Sequence, residues 1–95
     1  MSDIVGTMNR FQIEDSYAIE PDLFVFAGKI VQGKAGPGMI FDVSEAGHKW
    51  CCVIRSVEFI RMKQVGELLG LLVNNAKPGY LPGLGAGQIT ELREQ

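Results

Sequence analysis

From Arg10 onward, apolar and polar residues alternate with period two. Phe11, Ile13, Asp15 and Tyr17 fall on one face, and Gln12, Glu14 and Ser16 on the other. That pattern predicts a half-buried strand, ended by Glu20-Pro21-Asp22, because proline lacks the ladder donor and Asp favours turns. Leu23 to Val31 is more continuously apolar, which predicts a second strand buried on both faces or central in its sheet. A glycine-rich turn, Gly33 to Gly38, separates it from a third short strand, Met39 to Val43. A polar loop over Ser44–His48 leads to a fourth strand, Lys49–Ile54. β-favouring residues continue through Ser56–Met62 after a bend near Arg55-Ser56, and Lys63–Gly66 forms a turn.

Glu67–Val73 is ambiguous by composition. Its leucines favour helix, but Gly70 costs about 1 kcal/mol in mid-helix and seven residues make a marginal one, so a strand is expected. Leu81–Gly87 is too rich in glycine for a regular element, and Gln88–Leu92 supplies a last strand. Six to eight short strands with no helix predict an all-β fold, a sandwich or a small closed antiparallel barrel. Residues 1–9 are read as a lead-in, and residues 10–95 as one domain.

Composition agrees with a folded chain: 46% of residues are hydrophobic and 21% charged. The formal net charge of −2 provides no general basic field for nucleic acid. No run approaches the roughly 18 apolar residues needed to span a bilayer, so no membrane is expected, and the N-terminus lacks the form of a signal peptide. The two cysteines, Cys51 and Cys52, are adjacent and cannot frame a disulfide fold, which predicts a reduced, cytoplasmic setting.

Several stretches invite chemistry. Gly28–Lys34 spells GxxxxGK, but Ala35 stands where a magnesium-binding hydroxyl is required, and Gly36-Pro37-Gly38 cannot open a helix over a phosphate. Gly83–Gly87 lacks dinucleotide spacing. His48, Cys51 and Cys52 fall short of a metal set, and neighbouring cysteines on a strand face opposite ways. No cofactor or metal is expected. Glu14 and Asp15 likewise oppose one another unless a bulge intervenes. Glu58 and Arg61 read as surface charges, and Trp50 and Tyr80 as edge or core aromatics that could also stack a base.

Taken in order, five segments resemble the second domain of translational GTPases such as elongation factor Tu. They are Ile13–Ile19 (IEDSYAI), Val25–Lys34 with Gly38, Val57–Arg61 (VEFIR), Val65-Gly66 with Leu69–Val73, and Gly87-Gln88-Ile89. The resemblance runs from about Phe11 to Leu92. It implies a small antiparallel β-barrel, and it carries a ligand-facing role to Glu14, Asp15, Tyr17, Glu58 and Arg61. The chain departs from the family pattern at Ala27, where the family has Thr, and in the short link from Arg61 to Gly66. With the barrel alone, GTP hydrolysis is not expected. The resemblance implies a non-catalytic binding module that docks a protein partner. The alternative is recognition of an RNA or tRNA 3′ end near Glu58 and Arg61, and a third reading is an enzyme built on Cys51 or Cys52.

Overall fold

The computed structural model describes residues 8–62 and 66–95; the first seven residues of the expected lead-in and most of the expected Lys63–Gly66 turn lie outside that range. Six strands run in chain order: β1 (Asn9–Glu20), β2 (Leu23–Gln32), β3 (Ile40–Glu45), β4 (His48–Met62), β5 (Gly66–Asn74) and β6 (Ile89–Leu92). All pairings are antiparallel, in the order β3-β4-β5-β2-β1-β6, and the described residues include no helix. The two outer strands of that order meet. Ile40 and Arg93 exchange backbone hydrogen bonds of 2.7 and 2.8 Å, and Arg93 also reaches Asp42 at 3.3 Å, so the sheet is a nearly closed barrel. Closure leaves few unpaired edges, the usual hazard of a small sheet.

The expected elements are present, with small shifts of boundary. Ser44 and Glu45 belong to β3 and His48 to β4, so the polar loop contracts to Ala46-Gly47. Both of those residues have positive φ (52° and 82°), the two-residue turn whose twist matches the flanking strands. The Lys49–Ile54 and Ser56–Met62 segments form one long strand, bent by a bulge between Ile54 and Ser56 where the bend is expected.

One reading of β1 is corrected. Ile13 pairs with Gly28 and Asp15 with Ala27, so Glu14 is an extra residue in a bulge. The bulge reverses the alternation. Phe11 and Ile13 point into the barrel, but from there on Ser16 is the inward residue, 1% exposed, and Asp15 and Tyr17 face outward. The Ser16 hydroxyl donates to the Leu84 carbonyl at 2.7 Å, and the Ser16 carbonyl accepts from Gly83 N–H at 2.8 Å. These bonds bind β1 to the Gly83–Gly87 turn, which covers one side of the strand. Gly83, Gly85 and Gly87 take φ of 85°, 76° and 90°, a conformation side-chain-bearing residues rarely adopt.

β2 is buried on both faces from Phe24 to Gly28, as its apolar run predicts, but Lys29–Gln32 are exposed. Phe24 and Phe26 point into the barrel, where Phe26 meets Phe41 edge-on (centroids 5.3 Å) and Phe24 meets Tyr80 (5.3 Å). Val25 and Ala27 point outward into a second apolar cluster with Leu68 and Leu72, flanked by Tyr17, Leu23 and Ile60. A barrel of this size therefore carries two cores, one inside and one on its outer wall.

Candidate functional site

Strand register decides which of the expected site residues meet. The pairs Asp15–Ala27, Ala27–Gly70 and Gly70–Glu58 form one row across β1, β2, β5 and β4, and Tyr17–Val25, Val25–Leu72 and Leu72–Ser56 form the next. Directly paired residues share a face, so Asp15, Tyr17 and Glu58 all lie on the outer wall. Arg61 does not join them. It pairs with Glu67 and shares the face of Phe59, two residues away, whose row through Leu69 and Gly28 lies on the inner face. Glu14 is exposed at the bulge. The resemblance-derived set is thus split across the sheet.

The wall between Asp15 and Glu58 is filled. A Cβ on Gly70 would lie 2.3 Å from Ile60 Cδ1 and 3.3 Å from Val25 Cγ1, so Ile60 occupies the space above the two smallest residues of the row. The Asp15 carboxylate accepts from Ser16 N–H at 2.8 Å, which ties it to the bulge. The main cavities of the described residues lie elsewhere.

One of them is a half-enclosed space of about 390 Å³ bordered by Cys52, Arg55, Asn74, Asn75, Lys77 and Tyr80. Cys52 Sγ and Tyr80 Oη are 3.0 Å apart at its inner end. Burial pushes the Cys52 thiol up to about 11, against a partly opposing hydrogen bond from Tyr80, and burial also raises the Tyr80 phenol. At neutral pH both are uncharged, so Cys52 supplies no thiolate and Tyr80 no base. Arg55 Nη1 donates to Asn74 Oδ1 at 3.1 Å, and Asn75 N–H donates to the Asp22 carbonyl at 2.7 Å, which fixes the cavity mouth. Cys51, which alternates with Cys52 along β4, is exposed and also borders the cavity. Among the described residues no group of three His, Cys, Asp or Glu side chains could hold a metal ion.

The aromatics near this cavity are structural. Tyr80 is 8% exposed and packs edge-on against Trp50 at 5.9 Å, while a Cβ on Gly79 would lie 2.3 Å from the Trp50 ring. The Gly79 backbone thus lies against the half-buried Trp50 indole. The GxxxxGK stretch is strand β2 followed by a turn, with Lys29 and Lys34 exposed and the Lys34 N–H bonded to Asn9 Oδ1 at 2.9 Å. No helix follows to cradle a phosphate.

A different feature emerges at the far end of β4. Phe59 is 77% exposed although it continues the inward alternation that buries Val57 against the core. It lies on the part of β4 that runs beyond β3, whose pairing stops at Val53. Beside it a shallow groove of about 360 Å³ is lined by Gly28, Ile30, Leu68 and Leu69, with Lys29 and Glu67 at its rim. Gly28 is required at the groove floor, because a Cβ there would fall 1.9 Å from the Gln12 carbonyl oxygen. Without a side chain at 28, Phe59, Leu69 and Ile30 form one apolar surface.

No family model, curated protein or solved structure matches the chain. The described residues include no helix long and apolar enough to cross a membrane. Of the two residues between Glu58 and Arg61, Ile60 packs into the outer cluster and Phe59 is left uncovered.

Proposed function

We propose that this domain is a non-catalytic binding module of the translation-factor barrel type, docking a protein partner through the inner face of the β4–β5 hairpin. The observation that carries the reading is Phe59, a large aromatic 77% exposed and contiguous with Ile30 and the Gly28 groove. An aromatic anchor beside a groove, rimmed by one Lys and one Glu, has the anatomy of a protein-docking hot spot. The barrel type is supported by where four of the five resembling segments fall: IEDSYAI on β1, VFAGKIVQ on β2, VEFIR on β4 and LGLLV on β5. The uncharged Cys52–Tyr80 pair weighs against a thiol enzyme at that position.

Affinity capture with wild-type and Phe59→Ser protein tests the reading. A partner held in stoichiometric amount by wild type and lost by Phe59→Ser is the expected outcome; equal recovery with both proteins would sink it. Recognition of an RNA or tRNA end has less support, because Glu58 and Arg61 face opposite sides of β4. A 3′-terminal oligonucleotide that shifted the amide resonances of both residues in low salt would reinstate it.

A further inference from the structure

The proposed docking face adjoins a sheet edge that no described strand pairs with, and the hydrogen-bonding pattern tells which backbone groups point out of it. Ile54 directs both its N–H (to Met39 O, 2.8 Å) and its C=O (from Gly38 N, 2.8 Å) toward the β3 side. Its pairing with Val73 of β5 is therefore of the non-hydrogen-bonded kind. The bulge then resets the alternation, so Ser56, Glu58 and Ile60, paired with Leu72, Gly70 and Leu68, bond to β5. It follows that Val57, Phe59 and Arg61 point their N–H and C=O groups away from β5. No described strand lies on that side of β4 beyond Val53.

Resting on the docking reading above, we propose that the partner is a second copy of this chain, added antiparallel along the β4 edge about a two-fold axis through Phe59. An isologous pair of antiparallel strands places each residue against one on the same face. In the register centred on Phe59, Phe59 meets Phe59, Val57 meets Arg61 and Glu58 meets Ile60. All the free N–H and C=O groups of Val57, Phe59 and Arg61 then find partners, about six main-chain hydrogen bonds in all. The neighbouring registers do worse. Centring on Glu58 opposes two carboxylates, centring on Ile60 leaves Val57 without a partner among these residues, and centring on Arg61 opposes two guanidinium groups. The favoured register also stacks the two exposed phenyl rings on the inner face, where each would extend the other molecule's Gly28 groove.

The test is oligomeric state by light scattering and sedimentation over a concentration series, with the full chain and two charge variants. Wild type is expected to dimerise, and Phe59→Lys and Phe59→Glu each to weaken the dimer on the order of tenfold or more. Because residue 59 faces itself, mixing the two variants restores a heterodimer. Position 59 is exposed, and a native circular dichroism spectrum with a cooperative melt confirms that each variant folds. A wild-type chain that stays monomeric at every concentration, variants that dimerise like wild type, or a mixture that stays monomeric overturns the self-pairing. If wild type is monomeric yet Phe59→Ser loses a captured partner, the docking reading stands and only this inference fails. Equal capture by wild type and Phe59→Ser removes both.

Discussion

Ser16→Ala tests the reversal of β1 more directly than any surface change. The Ser16 side chain is 1% exposed, and its hydroxyl donates to the Leu84 carbonyl at 2.7 Å, the only bond that carbonyl accepts among the described residues. Leu84 is itself 2% exposed, so water does not replace the hydroxyl without opening the turn. The substitution removes one hydrogen bond and strands a buried acceptor, and such losses cost about 1–3 kcal/mol. In a domain of this length each kcal/mol moves the midpoint by about 4–8 °C, so a central loss of about 2 kcal/mol lowers it by roughly 10 °C. Urea denaturation supplies the free energy, and a thermal melt the midpoint. Ser44→Ala is the control, because Ser44 is exposed and bonds through its backbone to Gln88. If Ser16→Ala and Ser44→Ala were both within about 0.5 kcal/mol of wild type, Ser16 would not be the inward residue and the bulge at Glu14 would be misplaced.

Three further outcomes follow from the same packing. Below pH 9.0 the Cys52 thiol is neutral in both folded and unfolded chains. Above it the unfolded thiol ionises while the folded one holds its proton to about 11, so stability falls between those values, by on the order of 2 kcal/mol, and Tyr80 adds to the fall from pH 10.0 upward. Urea midpoints across pH 8–11 should show this slope, reduced in Cys52→Ala; an undiminished slope in the variant refutes the assignment. Gly28→Ala should cost about 3 kcal/mol or prevent folding, since its Cβ would sit 1.9 Å from backbone rather than from a movable side chain. A variant as stable as wild type in urea would contradict that close approach. Under native conditions iodoacetamide should modify the exposed Cys51 and spare the buried Cys52; mass spectrometry showing equal modification would refute the burial of Cys52.

Much of the fold is legible from residue order because strand signals are local. The unbroken run Phe24–Gly28 announces burial on both faces, and the structure provides a core on each side of it. The polar pair Arg55-Ser56 inside an apolar stretch marks the bulge of β4. The bulge of β1 gives no such sign. Tyr17 suits the outer cluster as well as it would suit the barrel interior, and Ser16 reads as a solvent-facing residue until Leu84 is known to be its partner. The site is less legible, because it depends on register and on where neighbouring strands stop. Alternation alone makes Phe59 the equal of Val57. Val57 still packs against the barrel core, whereas Phe59, two residues farther from the end of β3 pairing at Val53, is bare. Cross-strand rows likewise separate Arg61 from Asp15, Tyr17 and Glu58, which no spacing along the chain reveals.

The place of β6 has a consequence for how the chain reaches this shape. β6 is inserted between β1 and β3: Asn9–Gln12 pair with Ile89–Leu92, and Arg93 bridges to Ile40. During synthesis the segment that completes the ring leaves the ribosome after every strand it must join. Until it arrives, β1 and β3 each present an open edge, while the hairpins β1–β2 and β4–β5 can already form. Closure is therefore a late, long-range event, the kind that slows folding and prolongs exposure of unpaired strands. A nascent chain arrested before Ile89 would hold most of its sheet and lack the strand that ends its growth.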